Sequence, residues 1–451
     1  MVNKKKNWLT ERDLYKMSEK ELYSKICVAE SIKHVDNASD EVIDMKDPYK
    51  FSYNLATILA RDREVVAVRL KISDDCKVYI SKNDNWYEED VRYIDRIQKY
   101  LRNISKESPG TSIESSIKII EDLTDEVMTY CFAKLEYRFE KLEKDIIRNR
   151  DKEHIKSFIR YARDNLEGFD PDNLHDVDKS EISGICCAYY KEAKNVPGTP
   201  EKFLGHLKKV GSYAGSVIDI AACARNEKYK NLFSNIKLRI LKPVIADQLI
   251  YSWEDIIKGF VRDHVEYEKV KNECLNDSHI AERLRKIYGD ENTNQLQLDV
   301  DNIKQRVCLH AEMNILANII DQGDKSRVYI AVSKRYCYLC ELYIDFARKR
   351  GYNIIISGKH KKIYRGWKLP FVADANFRIQ SLKYILENLD QIIESQVKHY
   401  TKSLRADSDS RGSSVDSENR SEAEVVFGYL KRGRGRRGHE KKIVPLSEFN
   451  Q

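Results

Sequence analysis

Four residues in the last third of this 451-residue chain are of types that could do chemistry together: His310, Glu312, Cys337 and Cys340. They stand as His310-Ala-Glu312, a gap of 24 residues, then Cys337-Tyr-Leu-Cys340. One imidazole and two thiolates supply three ligands to a zinc ion and leave the fourth tetrahedral position open to water. A carboxylate two residues from the imidazole, not itself a ligand, is the proton shuttle that hydrolytic removal of an amine from a ring carbon requires. Taken singly, the histidine reads as a packed core residue and the cysteine pair as buried thiols or part of a structural zinc site. Their order and their flanks bring the two halves together.

The flanking elements must place both halves at one point. After Glu312 the apolar residues Met313, Leu316, Ile319 and Ile320 fall at helical spacing. Residues two apart on a helix point in different directions, so His310 belongs at the non-helical entrance and Glu312 in the first turn. Arg327 to Ser333 reads as a buried strand, rich in β-branched and aromatic residues. Cys337 and Cys340 then open a second helix, with Leu339, Leu342, Tyr343 and Phe346 as its apolar stripe. Sulfurs three residues apart share a helix face, and the dipole at a helix N-terminus favours the thiolate. A further strand at 353–357 completes helix, strand, helix, strand, the right-handed crossover order of a parallel pair. Ligands then sit outside the carboxyl end of the strand.

This arrangement resembles the zinc-dependent nucleobase deaminase superfamily, which includes cytidine, deoxycytidylate, tRNA adenosine and nucleic-acid-editing deaminases. Most of that superfamily has Pro before the first Cys, where this chain has Tyr336. The string from Val332 to Tyr343 and the segment Gly366-Trp-Lys-Leu-Pro370 are similar to one branch, the fungal and bacterial-toxin deaminases of the OTT_1508-like group. The resemblance implies an α/β fold, a cytidine-deaminase-like three-layer core with helices around a mixed sheet. It implies Zn2+ on His310, Cys337 and Cys340, with Glu312 catalytic. An Asn at the end of the second hairpin strand contacts sugar or base in that superfamily, and Asn83 stands at that point. His360 and Trp367, in the loop beyond the second crossover strand, are candidates to stack on or cap the base; their plainer reading is a surface His and a Trp packed under the terminal helix. The implied activity is hydrolysis of a C–N bond in a cyclic amidine. Its substrate would be a nucleobase, free as nucleoside or nucleotide or carried in single-stranded DNA or RNA. The alternative is a zinc-stabilised interaction protein whose catalysis has lapsed; a purely structural site has no need of Glu312.

The rest of the chain divides around these residues. Residues 1–47 read as an exposed helical leader, with Trp8, Leu14, Tyr15 and Leu22 as docking residues. Residues 48–106 open the core. A helical pattern over 47–61 precedes an alternating run, Val66, Val68, Leu70 and Ile72, then a turn at Ser73-Asp-Asp75 and a second run, Cys76, Val78 and Ile80: a β-hairpin. Helix and hairpin are how the deaminase fold begins, yet His310 arrives more than two hundred residues later. Residues 107–295 are therefore read as an inserted helical domain, which loop-closure entropy tolerates. Its periodic stretches are 113–150, 203–224 (with Gly205, Gly211 and Gly215 as small contacts) and 252–288. The alternative is a separate N-terminal domain, with the fold's own hairpin in 237–310, where Leu296-Gln-Leu-Asp-Val300 is the strand-like run. Residues 296–402 hold the zinc part and end in an amphipathic helix, 375–402. Residues 403–451 have the composition of a disordered tail, acidic and serine-rich, then basic and glycine-spaced at 431–437.

Ten cysteines, scattered with no framework spacing apart from the Cys337 and Cys340 pair, point to reduced intracellular thiols and a metal site, in cytoplasm or nucleus. Cys308 is read as a packed thiol, since a fourth thiolate would block the water position. No apolar run reaches the length of a membrane span, and the Lys-rich start leads into charged helix. A net charge of +7 permits contact with nucleic acid without demanding it.

Overall fold

The computed structural model describes residues 11–32, 47–62, 64–72, 76–106, 113–171, 173–174, 177–290, 293 and 295–402. Trp8, the side chain of Leu14, the turn at 73–75 and the tail at 403–451 lie outside them. In chain order the elements are α1 (Glu11–Ile32), α2 (Asp47–Ile58), β1 (Val66–Ile72), β2 (Cys76–Lys82), α3 (Glu88–Lys106), α4 (Ile113–Tyr130), α5 (Phe132–Arg148), α6 (Glu153–Asn165), α7 (Lys179–Ala193), α8 (Glu201–Arg225) and α9 (Glu227–Ser234). There follow β3 (Lys237–Ile240), β4 (Ile245–Ile250), α10 (Trp253–Lys258), α11 (His264–Asn276), α12 (Ser278–Tyr288), β5 (Ile303–Cys308), α13 (Ala311–Asp321), β6 (Val328–Tyr329), β7 (Ala331–Val332), α14 (Tyr338–Lys349), β8 (Ile354–Ile355) and α15 (Ala375–Lys402). The protein is mixed α/β, rich in helix, with small sheets.

The hairpin of β1 and β2 is in strict register, Val66 opposite Lys82 through Ile72 opposite Cys76. On its other edge β1 pairs antiparallel with β7, Ala67 with Val332 and Val68 with Ala331. Ser333 locks that junction, its backbone N–H donating to Val66 O and its hydroxyl accepting from Val66 N–H. One residue before β7, the same chain segment pairs in parallel with β8 through β6. Beyond β2, β3 adds a parallel strand. The run is thus β3-β2-β1-β7, continued through β6 to β8. Side chains alternate across it: Val66 and Val68 join one core with α2 to α9, and Ala67 faces the other with α13. Burial of these two apolar sets, on the order of 25 cal/mol per Å² removed from water, is what fixes the strand register.

Several sequence expectations change. The leader is not exposed over its second half: Leu22, Tyr23, Ile26 and Val28 are buried in the same core as α13 and α14. Its apolar stripe docks on this chain's own α15, and Glu30 accepts the backbone N–H of Arg365 at 2.8 Å. The stretch 107–295 is not wholly helical, because β3 and β4 interrupt it. Residues 296–300 form only an isolated bridge, Leu296 to Gly289, while the strand falls at β5, which pairs with β4 over six residues. Within 252–288 the periodicity resolves into three helices, since Asp263 and Asp277 cap new N-termini with their carboxylates. Of the three glycines in α8, Gly211 is where a small residue is required: a Cβ there would lie 2.4 Å from the backbone of Cys187 in α7. Gly205 has open space around it.

Candidate metal centre

His310 is the N-cap of α13, in extended backbone (φ −60°, ψ 145°), and Glu312 lies in the first turn. Cys337 is the N-cap of α14, and its sulfur accepts the backbone N–H of Cys340 at 3.4 Å. The two helix starts therefore converge, and the ligating atoms of His310, Cys337 and Cys340 all lie within 4.8 Å of one another. Cys340 Sγ is 3.3 Å from His310 Nδ1, Cys337 Sγ is 3.6 Å from it, and the sulfurs are 3.3 Å apart. A tetrahedral zinc with ordinary bond lengths sets its ligands roughly 3.6–3.8 Å apart, so the donor set fits the ion with a shift of a few tenths of an ångström. Cys308 is not in the group. It lies in β5, where its backbone bonds to Gly366 and Lys368.

Electrostatics support the fit. Burial opposes every charge here, yet at Cys337 the hydrogen bond with Cys340 and the charge of His310 outweigh it and draw the thiol down to about 6. Cys340 goes the other way, raised by burial and by the negative Cys337 beside it. His310 is penalised by burial but held well above the ordinary imidazole range by Cys337 and Glu312. Glu312 is held below the ordinary carboxylate range by His310 in spite of burial. The cluster thus gathers negative charge around shared protons, which a dication would displace. Glu312 Oε1 is 3.8 Å from His310 Nδ1, while its Oε2 is buried with no hydrogen-bond partner. An orphaned buried carboxylate oxygen costs stability and points to a missing proton donor.

The other expected site residues fall in different places. Asn83 follows β2 at the end that abuts α13: Asn314, in the same turn as Glu312, donates to Ser81 Oγ at 3.0 Å. The side-chain amide oxygen of Asn83, Oδ1, is engaged within the hairpin, accepting Val65 N–H at 2.9 Å. His360 is half-buried beside the centre, and burial lowers its pKa. Trp367 offers no exposed face; it is fully buried and its Nε1–H donates to Cys340 Sγ at 3.3 Å. That contact makes it a support for the thiol from within the core, which agrees with the plainer reading of a packed Trp and not with a ring that caps a base. The exposed ring is instead Tyr364, 41% accessible, with its centroid 6.2 Å from the His310 ring and 5.6 Å from that of His360. Sequence reasoning passed over it, although it lies in the same basic loop as His360 and Trp367. The position before Cys337 also has its reason. Tyr336 N–H donates to Gly358 O, a bond proline cannot make, and its buried phenol donates to Ile330 O.

Residues 309–371 match the model of the OTT_1508-like deaminase family, which supports that branch of the deaminase superfamily for this part of the chain. No curated protein and no solved structure matches the chain. Among the described residues, no helix is long and apolar enough to cross a membrane.

Proposed function

We propose that the chain is a zinc-dependent hydrolytic deaminase acting on a nucleobase. The observation that carries this reading is the buried Oε2 of Glu312, unpartnered beside a three-ligand cluster on the start of the same helix. His310, Cys337 and Cys340 would hold the zinc ion. A bound zinc supplies Lewis acidity, which brings the pKa of a water at the open position toward neutrality. Glu312 takes one proton of the attacking water at Oε2 and passes it to the ring nitrogen, then takes the second from the added hydroxyl and passes it to the amine, so that the C–N bond breaks as the carbonyl forms and ammonia leaves. Trp367 holds Cys340 by its N–H, which orients the thiolate. Tyr364 and His360 frame the exposed side of His310, where a base could stack on an aromatic face. Asn83 would orient the sugar or base.

The proposed core is cytidine-deaminase-like: α2, β1 and β2, then α13, the β6–β7 segment, α14 and β8, with the chain from 107 to 295 as an insertion. The shared sheet of the hairpin and β7 supports that reading. So does the local Asn314–Ser81 contact. Lys334 and Arg335 before Cys337, with Lys361 and Lys362 beyond it, are exposed cations that favour a phosphate-bearing substrate, single-stranded DNA or RNA or a nucleotide. The test is ammonia release by the zinc-loaded full chain from cytidine, adenosine, their monophosphates, single-stranded DNA and RNA. Turnover on at least one is expected. Stoichiometric zinc with no turnover on any would favour the zinc-stabilised interaction protein.

A further inference from the structure

At the far end of α13 the sheet opens. β1 pairs with β7 only as far as Val68, and beyond that point Leu70 and Ile72 diverge from Val328 and Tyr329, which turn to pair with β8. A cavity of about 510 Å³ lies in the gap. α13 is eleven residues long, so roughly 16 Å of helix separates this cavity from His310.

The walls carry unbalanced positive charge. Arg69, Lys71 and Arg327 line the cavity against one carboxylate, Asp324. Arg69 is 1% exposed, bonds Asp324 through Nη2 and lies over the Tyr79 ring at 5.5 Å, but its Nε and Nη1 are buried without a hydrogen-bond partner. Asp324 is already heavily engaged, accepting from Ser326 N–H and hydroxyl as well as pairing with Arg69 and, at 3.8 Å, Lys71. It cannot satisfy the remaining guanidinium N–H groups, and burial draws the Arg69 pKa down. A buried guanidinium edge with spare donors fits an anion with several oxygens, for which the planar fork is suited. Tyr49 and Tyr329, rings 4.7 Å apart, add an aromatic wall. The volume is that of an ordinary small-molecule site and exceeds what a bare inorganic ion fills.

We propose that this cleft is a second ligand site, which binds a phosphate-bearing small molecule through Arg69, Lys71 and Arg327, with its organic part against Tyr49 and Tyr329. The proposal does not rest on the deaminase reading. Calorimetric titration of the full chain with inorganic phosphate and with ribose 5-phosphate tests it, since neither probe carries an amine for the His310 centre. Saturable binding is expected, tighter for ribose 5-phosphate, and unchanged in Cys337→Ser. Arg327→Ala, an exposed change, should weaken it about tenfold, the loss of one charge-assisted bond. Arg69→Met should abolish it; if that variant fails to fold, Arg327→Ala and Lys71→Ala decide. No binding of either probe to the wild type would overturn the proposal. So would equal binding in wild type, Arg327→Ala and Lys71→Ala.

Discussion

Cys337 and Cys340 illustrate how one burial can serve two opposite thiols. Both are dry, yet one is drawn toward thiolate and the other is held as the thiol. Cys337→Ser or Cys340→Ser should each remove stoichiometric zinc, because two ligands do not close a tetrahedral site; elemental analysis of the purified variants checks this. Cys308→Ser should keep its zinc, since that thiol stands outside the cluster. Trp367→Phe deletes the N–H that Cys340 accepts while preserving most of the ring. We expect a folded protein with metal affinity reduced about 10–100-fold, the usual cost of losing an outer-shell partner. Competition with a chelator reads it directly. At this scale the convergence of His310, Cys337 and Cys340 beside Glu312 was legible because metal chemistry restricts residue types and spacing. Tyr364 was not, and for Trp367 a packed and a capping role both stayed open, since which aromatic of a loop turns inward depends on packing that no local pattern records.

Among the elements, the hairpin was legible and the joints were not. Alternation from Val66 to Ile80 marks two strands, and their registry follows. What pins them to the helical body is a buried charge network that only the fold assembles. Asp90, at the start of α3, accepts from Lys82 at 2.7 Å, Tyr130 OH at 2.9 Å and Tyr87 N–H at 3.0 Å, and pairs with Arg61 at 3.1 Å. Asp90→Asn leaves Lys82 charged and buried without its full partner, and should destabilise the protein by about 3–5 kcal/mol. Urea unfolding with an unchanged slope would measure that loss. Gly211→Ala should also destabilise it, by about 1–3 kcal/mol or more, because the new methyl meets backbone and not a yielding side chain. The short strands β3, β4 and β5 escaped detection for two reasons: Lys237-Leu-Arg-Ile240 alternates but over four residues only, while polar runs interrupt the alternation in Ile245-Ala-Asp-Gln-Leu-Ile250 and Ile303-Lys-Gln-Arg-Val-Cys308.

Over the whole molecule, the segment that carries His310, Cys337 and Cys340 is not self-contained. β7 takes its partner from residues 66–68, and the core of α13 and α14 includes Leu22 to Ile32 of α1. A fragment of residues 296–402 alone should therefore expose an apolar face and a strand edge, and give no cooperative thermal transition, as calorimetry would show. The amphipathic pattern of α1 was readable, but its partner was not: a stripe says that a face is buried, never against what. The same holds for the hairpin, whose place beside β7 follows from contacts 267 residues apart in sequence, such as Val66 with Ser333.

The most direct test of the central claim replaces one oxygen by an amide. Glu312→Gln keeps the volume, the helix turn and the ligand cluster, and removes the proton carrier. With zinc content and fold verified for both proteins, ammonia release on the substrate turned over by the wild type should fall by about a hundredfold to ten-thousandfold. Equal rates in wild type and Glu312→Gln would place the chemistry elsewhere and contradict the account.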